Sequence, residues 1–164
     1  MSIKTGYIAH LKSESISTKK MLERVPMDNP DWKPHEKSMP IGRLATHIAE
    51  NLAWISTIIN NDEYDFLVNK FSTYVAGSTE ELLTILQTST DQALQSLEAI
   101  DISEFDKIWT VKFGDTIGFQ APKKAAIRGW AFDHLIHHRG QLSVYLRLLD
   151  IPVPGMYGPT ADEK

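Results

Sequence analysis

The stretch Phe132-Asp133-His134-Leu135-Ile136-His137-His138-Arg139-Gly140-Gln141-Leu142 decides how this chain folds. It lies inside a longer run from Pro122 to about Asp150. There Ile127, Trp130, Ala131, His134, Leu135, His138, Leu142, Tyr145, Leu146 and Leu149 recur at three- and four-residue steps, the spacing of one face of an α-helix. At 1.5 Å per residue such a helix is on the order of 40 Å long, enough to cross a domain. Pro152 and Pro154 stop it, and the tail Gly155-Met156-Tyr157-Gly158-Pro159 has no periodicity. A rod with one apolar stripe needs neighbours to bury that stripe.

Three further helical patterns supply them. Tyr7, Ile8, Leu11, Met21, Leu22 and Val25 predict a first helix from Ile3 to Val25, ended by Pro26. Pro26, Pro30, Pro34 and Pro40 make the next stretch a long ordered loop, of the kind that lines sites. Ser38 and Pro40 open a second helix, patterned by Leu44, His47, Ile48, Asn51, Leu52, Ile55 and Ile58 and running to about Asn60. Between Asn61 and Gly77 the periodicity fails, and Phe66, Leu67, Phe71, Tyr74 and Val75 are expected as an irregular cover over one end.

Ser78, with Glu81 three residues later, has the form of a capping box and starts a third helix to about Ile100. From Lys107 to Ala121 apolar and polar residues alternate around Gly114-Asp115, which predicts a small hairpin. Pro122 then begins the fourth helix, with Lys123-Lys124 as its solvated start. The expected fold is all-α: a four-helix bundle with a small β-hairpin inserted between helices 3 and 4, and residues 1–164 as a single domain.

Composition narrows the function. A net charge of -4 gives no electrostatic basis for nucleic-acid binding, which draws on clustered Lys and Arg. No window holds the roughly 20 apolar residues of a spanning helix, and the first residues lack the form of a secretory signal, so a cytoplasmic location with no membrane partner is expected. The absence of cysteine excludes disulfides, zinc-thiolate sites and a cysteine nucleophile.

The histidines carry the remaining chemistry. His134 and His138 are four apart and share one helix face, so two imidazoles can grip one ion. Each would cost about 1 to 3 kcal/mol to bury without a partner, and a cation satisfies both. His47, on the second helix, can supply a third ligand if the helices pack; alone it would read as a hydrogen-bonded core histidine. The alternative for the pair is an exposed accident of spacing. Leu135 stands where a helical zinc protease would place its glutamate, so that chemistry is not expected.

His137 is expected at a rim or interface, and His10 and His35 on the surface. Arg139 points away from the pair as a salt-bridge partner. Gln141, three residues after His138, could face the same pocket, and Glu50, three after His47, could hold an imidazole or be solvated. Gln141 and Glu50 are the candidate catalytic residues. Trp54, Trp109, Trp130 and Tyr145 are expected in the core, with one or two walling a pocket.

Three blocks occur together across nearly the whole chain: Met39-Pro40-Ile41-Gly42-Arg43-Leu44-Ala45-Thr46-His47-Ile48-Ala49, then His134-Leu135-Ile136-His137-His138-Arg139-Gly140-Gln141-Leu142, then Pro154-Gly155-Met156-Tyr157-Gly158-Pro159. In this combination the chain resembles the DinB/YfiT-like superfamily. The resemblance implies a four-helix bundle, often a homodimer, with a divalent metal such as zinc or nickel on His47, His134 and His138. It also implies that the family's DNA-damage name reflects induction of some members and not DNA chemistry. Some relatives are transferases using a low-molecular-weight thiol such as bacillithiol, mycothiol or glutathione.

The expectation is therefore a metal-dependent enzyme of the thiol-dependent transferase type, acting on a small-molecule substrate. The alternatives are a metal-dependent hydrolase, with Glu50 as its base, and a non-catalytic metal-binding or dimeric interaction module.

Overall fold

The computed structural model describes residues 2–70 and 72–163, so the expectation for Phe71 lies outside the described residues. Helix α1 spans Ile3–Leu22, with the Ser2 hydroxyl accepting the Thr5 N–H. It stops three residues before Val25, where the Arg24 and Val25 N–H groups turn back to Met21 and Leu22. The proline-rich stretch that follows is an ordered loop with a structural task. Helix α2 (Ile41–Glu50) begins behind Pro40 with no side-chain cap. The loop carbonyls take its first donors instead: Ile41 N–H bonds Trp32 at 2.8 Å and Gly42 N–H bonds Pro30 at 2.9 Å. A Cβ on Gly42 would lie 2.6 Å from the Pro30 Cβ, so only glycine lets the loop come this close.

The second expected helix is in fact two. After Glu50 the bonds tighten, with Asn51 N–H reaching Ile48, Trp54 reaching Asn51 and Ile55 reaching Leu52, and α3 (Ala53–Asn60) follows. These are i to i−3 bonds, and the apolar pattern continues through them without a proline or glycine to mark the break. Helix α4 (Thr79–Ala99) starts as expected: Ser78 accepts the Glu81 N–H, while the Glu81 carboxylate reaches back to Gly77 N–H at 2.7 Å.

The hairpin is present. Strands β2 (Ile108–Phe113) and β3 (Thr116–Pro122) pair antiparallel, and Gly114 takes φ 61° in the turn between them. The fold class, however, needs correction. Glu63–Asp65, inside the expected irregular cover, forms β1 and pairs parallel with β2. The protein is a helical assembly packed with a mixed three-stranded sheet of order β1-β2-β3, not an all-α four-helix bundle with a hairpin insertion. Three residues are too few to show a period of two, so β1 is defined by its partner strand and not by its own pattern.

The fourth expected helix is one helical run of changing pitch: α5 (Lys123–Ala126), a π-helical segment over Ile127–Asp133, then α6 (His134–Leu148). Lys123 is not the solvated residue expected. It is 2% exposed, donates to the Ile59 carbonyl at 3.0 Å and pairs with Asp62 at 3.0 Å, tying the end of α3 to the start of α5. Helix α4 packs on α1, α2 and α3, and α6 packs on α1 and α2. Leu11, Leu44, Ile48, Leu86, Leu97, Leu135 and Leu142 are among the buried side chains between them. Among the described residues no helix is long and apolar enough to cross a membrane.

Candidate metal centre

His47 is buried on α2, and His134 and His138 stand half-buried one turn apart at the start of α6. Packing of α2 on α6 brings the three together. His134 Nε2 lies 3.4 Å from His47 Nε2 and 2.7 Å from His138 Nε2, and one ring nitrogen from each of the three falls within 4.8 Å of the others. Two nitrogens bound about 2.05 Å from one ion lie about 3.3 Å apart in a tetrahedron and about 2.9 Å apart at a right angle. The two observed separations bracket those values.

The far sides of the α6 rings decide what the near sides can do. The π-helical segment sends the His134 backbone N–H to the Gly129 and Ala131 carbonyls. The Trp130 carbonyl, skipped by that pattern, favours the protonated His134 ring and partly offsets the lowering of its pKa by burial. On His138, Nδ1 lies 2.8 Å from the Gln141 side-chain oxygen and donates to it. A neutral imidazole has one donor nitrogen and one acceptor. His138 Nε2 therefore carries a lone pair, and it faces His134 Nε2 at 2.7 Å. One hydrogen on His134 Nε2 could serve His138 or His47 but not both, whereas a cation can take all three nitrogens, so the donor set fits a metal ion. An outer acceptor such as Gln141 on the His138 ring is also how metal-bound histidines are held.

Burial is the largest cause of a lowered pKa at all three imidazoles, and it pushes His47 down to about 3, with the charges of His138, His134 and Arg43 adding to the effect. The rings are thus neutral near pH 7, the form that can ligate.

The cluster lies between two dissimilar surfaces. On the His47 side is a cleft of about 240 Å³, lined by Arg43, Glu50, Asn51, Trp54, Tyr64 and Lys70 among others. On the His134 side an apolar groove runs past Phe119, Trp130 and His137. Glu50 faces the first of these, and its carboxylate is held by Arg43 at 3.1 Å. Gln141 holds the His138 ring. His137 is exposed, its ring centroid 5.0 Å from that of His138.

The remaining sequence expectations divide. Arg139 is a salt-bridge partner, and a buried one: its guanidinium lies 2.6 Å from the Glu14 carboxylate and 2.6 Å from the Tyr157 hydroxyl. His10 is not an unpartnered surface residue, since it stacks on Phe132 at 4.3 Å and lies 3.3 Å from Glu14. Trp109 and Tyr145 are buried, whereas Trp54 and Trp130 wall the cleft and the groove.

The model of the DinB family matches residues 1–164. The chain belongs to the DinB family. Among curated relatives of this DinB chain, the uncharacterized protein YjoA of Bacillus subtilis (strain 168) is 26% identical over 141 residues, covering 85% of this chain and 86% of its own. The uncharacterized protein YrdA of the same organism is 25% identical over 152 residues, covering 92% and 85%. Among solved structures, a DinB-like protein from Bacillus cereus ATCC 10987 superposes with a TM-score of 0.74 at 21% identity, covering 93% of this chain and 97% of that one. The YjoA structure gives 0.68 at 22% identity, covering 96% of each. At these identities the structural likeness supports the DinB fold.

Two contributors to the site escaped the sequence. The Trp130 carbonyl belongs to the backbone and depends on a π-helical register that periodicity does not reveal. Asn51, which lines the cleft, stands four residues after His47 on an otherwise apolar stripe.

Proposed function

We propose that this protein is a metal-dependent enzyme of the thiol-dependent transferase type, with His47, His134 and His138 holding a divalent ion. The observation that carries the proposal is the convergence of three imidazoles, with His134 Nε2 3.4 Å from His47 Nε2 and 2.7 Å from the His138 Nε2 lone pair that Gln141 fixes. Imidazole donors suit zinc or nickel. Such an ion, when bound, supplies the positive charge that lowers the pKa of a thiol brought to it. The chain's own part is to hold the rings: Gln141 fixes the His138 tautomer, and burial keeps His47 unprotonated. Three protein ligands leave room for a fourth, as catalytic sites do.

A hydrolase would need a carboxylate free to act as base on water. Glu50 lines the cleft but is engaged by Arg43, which favours the transferase. Elemental analysis of protein purified without an affinity tag, followed by assay with a panel of small thiols against a simple electrophile and with ester substrates, tests the proposal. One equivalent of metal with thiol-dependent turnover is expected; turnover of esters without thiol would overturn the transferase. An ion-free protein whose histidine variants behave as wild type would remove the metal site.

A further inference from the structure

Residues 151–163 form no helix or strand, yet they do not hang free. The Asp162 carboxylate accepts from the Arg147 guanidinium at 3.1 and 2.5 Å and from the Val153 N–H at 2.9 Å, and Glu163 accepts from the Gly155 N–H at 2.8 Å. A Cβ on Gly155 would run into the Glu163 carboxylate, so glycine is what lets this loop close. The closed loop carries Tyr157 back to the helices.

Its hydroxyl meets a buried ion pair. It donates to the Glu14 carboxylate, whose oxygens lie 3.0 and 3.1 Å away, and accepts from Arg139 Nη2 at 2.6 Å. The Arg139 guanidinium also reaches the Thr18 hydroxyl at 3.1 Å and the Glu14 carboxylate at 2.6 Å, and it lies 5.4 Å from the centroid of the Tyr157 ring. Glu14 and Arg139 are each 2% exposed. A planar guanidinium gripped by several partners fixes the direction of its own side chain.

That direction matters because Arg139 follows His138. Successive residues project about 100° apart around a helix, so α6 is held on two sides. Arg139 ties it to Glu14 on α1, while His134 and His138 face His47 on α2. An imidazole nitrogen stands roughly 6 Å from the helix axis, so a turn of about 10° around that axis moves it by about 1 Å. Metal sites hold their ligand distances to about 0.2 Å. The anchor that sets the rotation of α6 therefore sets how well the three rings converge.

We propose that Tyr157 is a positioning residue for the metal centre: by completing the Glu14–Arg139 pair it fixes the rotation of α6 that aims His134 and His138. The inference rests on the metal-enzyme reading and gives the C-terminal loop a part in it.

Tyr157→Phe keeps the ring and removes only the hydroxyl. Titrated with zinc against a chromogenic chelator, this variant should keep the wild-type stoichiometry while its dissociation constant rises about tenfold, the low end for losing an outer partner of a metal ligand. Destabilisation alone does not do this. Leu97→Ala, a core truncation on α4, which carries no ligand, should lower the urea midpoint and leave the dissociation constant at its wild-type value. Because Tyr157 acts through Arg139, adding Tyr157→Phe to Arg139→Lys should weaken zinc binding no further than Arg139→Lys alone. Wild type supplies a reading that needs no variant to fold: coupling is reciprocal, so zinc saturation should slow hydrogen exchange at the Val153 and Gly155 amides about tenfold. A wild-type dissociation constant in Tyr157→Phe, additive losses in the double variant, or exchange at those amides indifferent to zinc overturns the inference. Wild-type protein that takes up no zinc fails the metal reading instead, so the two proposals fail in different measurements.

Discussion

At the scale of single residues, the centre depends on which ring nitrogen carries a proton. Gln141 accepts from His138 Nδ1 and thereby turns the Nε2 lone pair towards the other histidines. Gln141→Leu should weaken metal binding about 10- to 100-fold, as loss of an outer acceptor does, and a competition titration against a chromogenic chelator measures it. Removing a ligand outright, as in His134→Ala, should abolish stoichiometric binding. Acid acts through the same rings. In the metal-free protein His47 has its pKa pushed down to about 3, against 6.5 for the unperturbed side chain. Below pH 6.5 the unfolded chain takes the proton first, so the stability present above that pH is lost progressively as pH falls towards 3. Urea midpoints should show this decline between pH 6.5 and about 3, and His47→Asn should flatten it.

At the scale of elements, the residues that join helices are as specific as those at the centre. Glu14 on α1 and Arg139 on α6 form a pair almost entirely removed from solvent, with Thr18 and the Tyr157 hydroxyl completing its hydrogen bonds. Arg139→Met leaves Glu14 buried without its counter-charge and should cost about 3 to 5 kcal/mol in chemical denaturation. Metal stoichiometry should persist, because Arg139 lies outside the histidine cluster. Gly42→Ala pushes a methyl into Pro30 and should destabilise by about 1 to 3 kcal/mol, with increased protease cutting in the 26–40 loop.

The sequence displayed elements that have several turns or a strong punctuator. Ser78 and Glu81 marked the start of α4, Gly114-Asp115 marked the hairpin turn, and the His134–His138 spacing with His47 on a facing stripe located the cluster. Hidden were the features that depend on a distant partner or on a change of pitch. The strand at Glu63–Asp65 exists because β2 lies beside it, the break at Asn51 interrupts no apolar pattern, and the π-helical segment before His134 preserves the same stripe. Lys123 resembled a solvated charge because its partners, Ile59 and Asp62, come from another helix end.

At the scale of the whole molecule, an ion on these histidines couples α2 to α6. Because the unfolded chain lacks the assembled site, zinc or nickel at about 1,000 times its dissociation constant should stabilise the fold by about 4 kcal/mol. A thermal melt with and without added ion reads that difference, and His138→Ala should remove it. An unchanged Tm in the wild type would mean that the ion does not bind the folded state selectively.

His47 and His134 are 87 positions apart along the chain. A ribosome that has made α2 and α4 has still produced only one of the three imidazoles, and a nascent polypeptide holds an ion no better than any lone surface histidine. An ion held by these three rings, as proposed, would therefore have to wait until α6 has emerged and docked, which would make an occupied centre a signature of finished tertiary assembly.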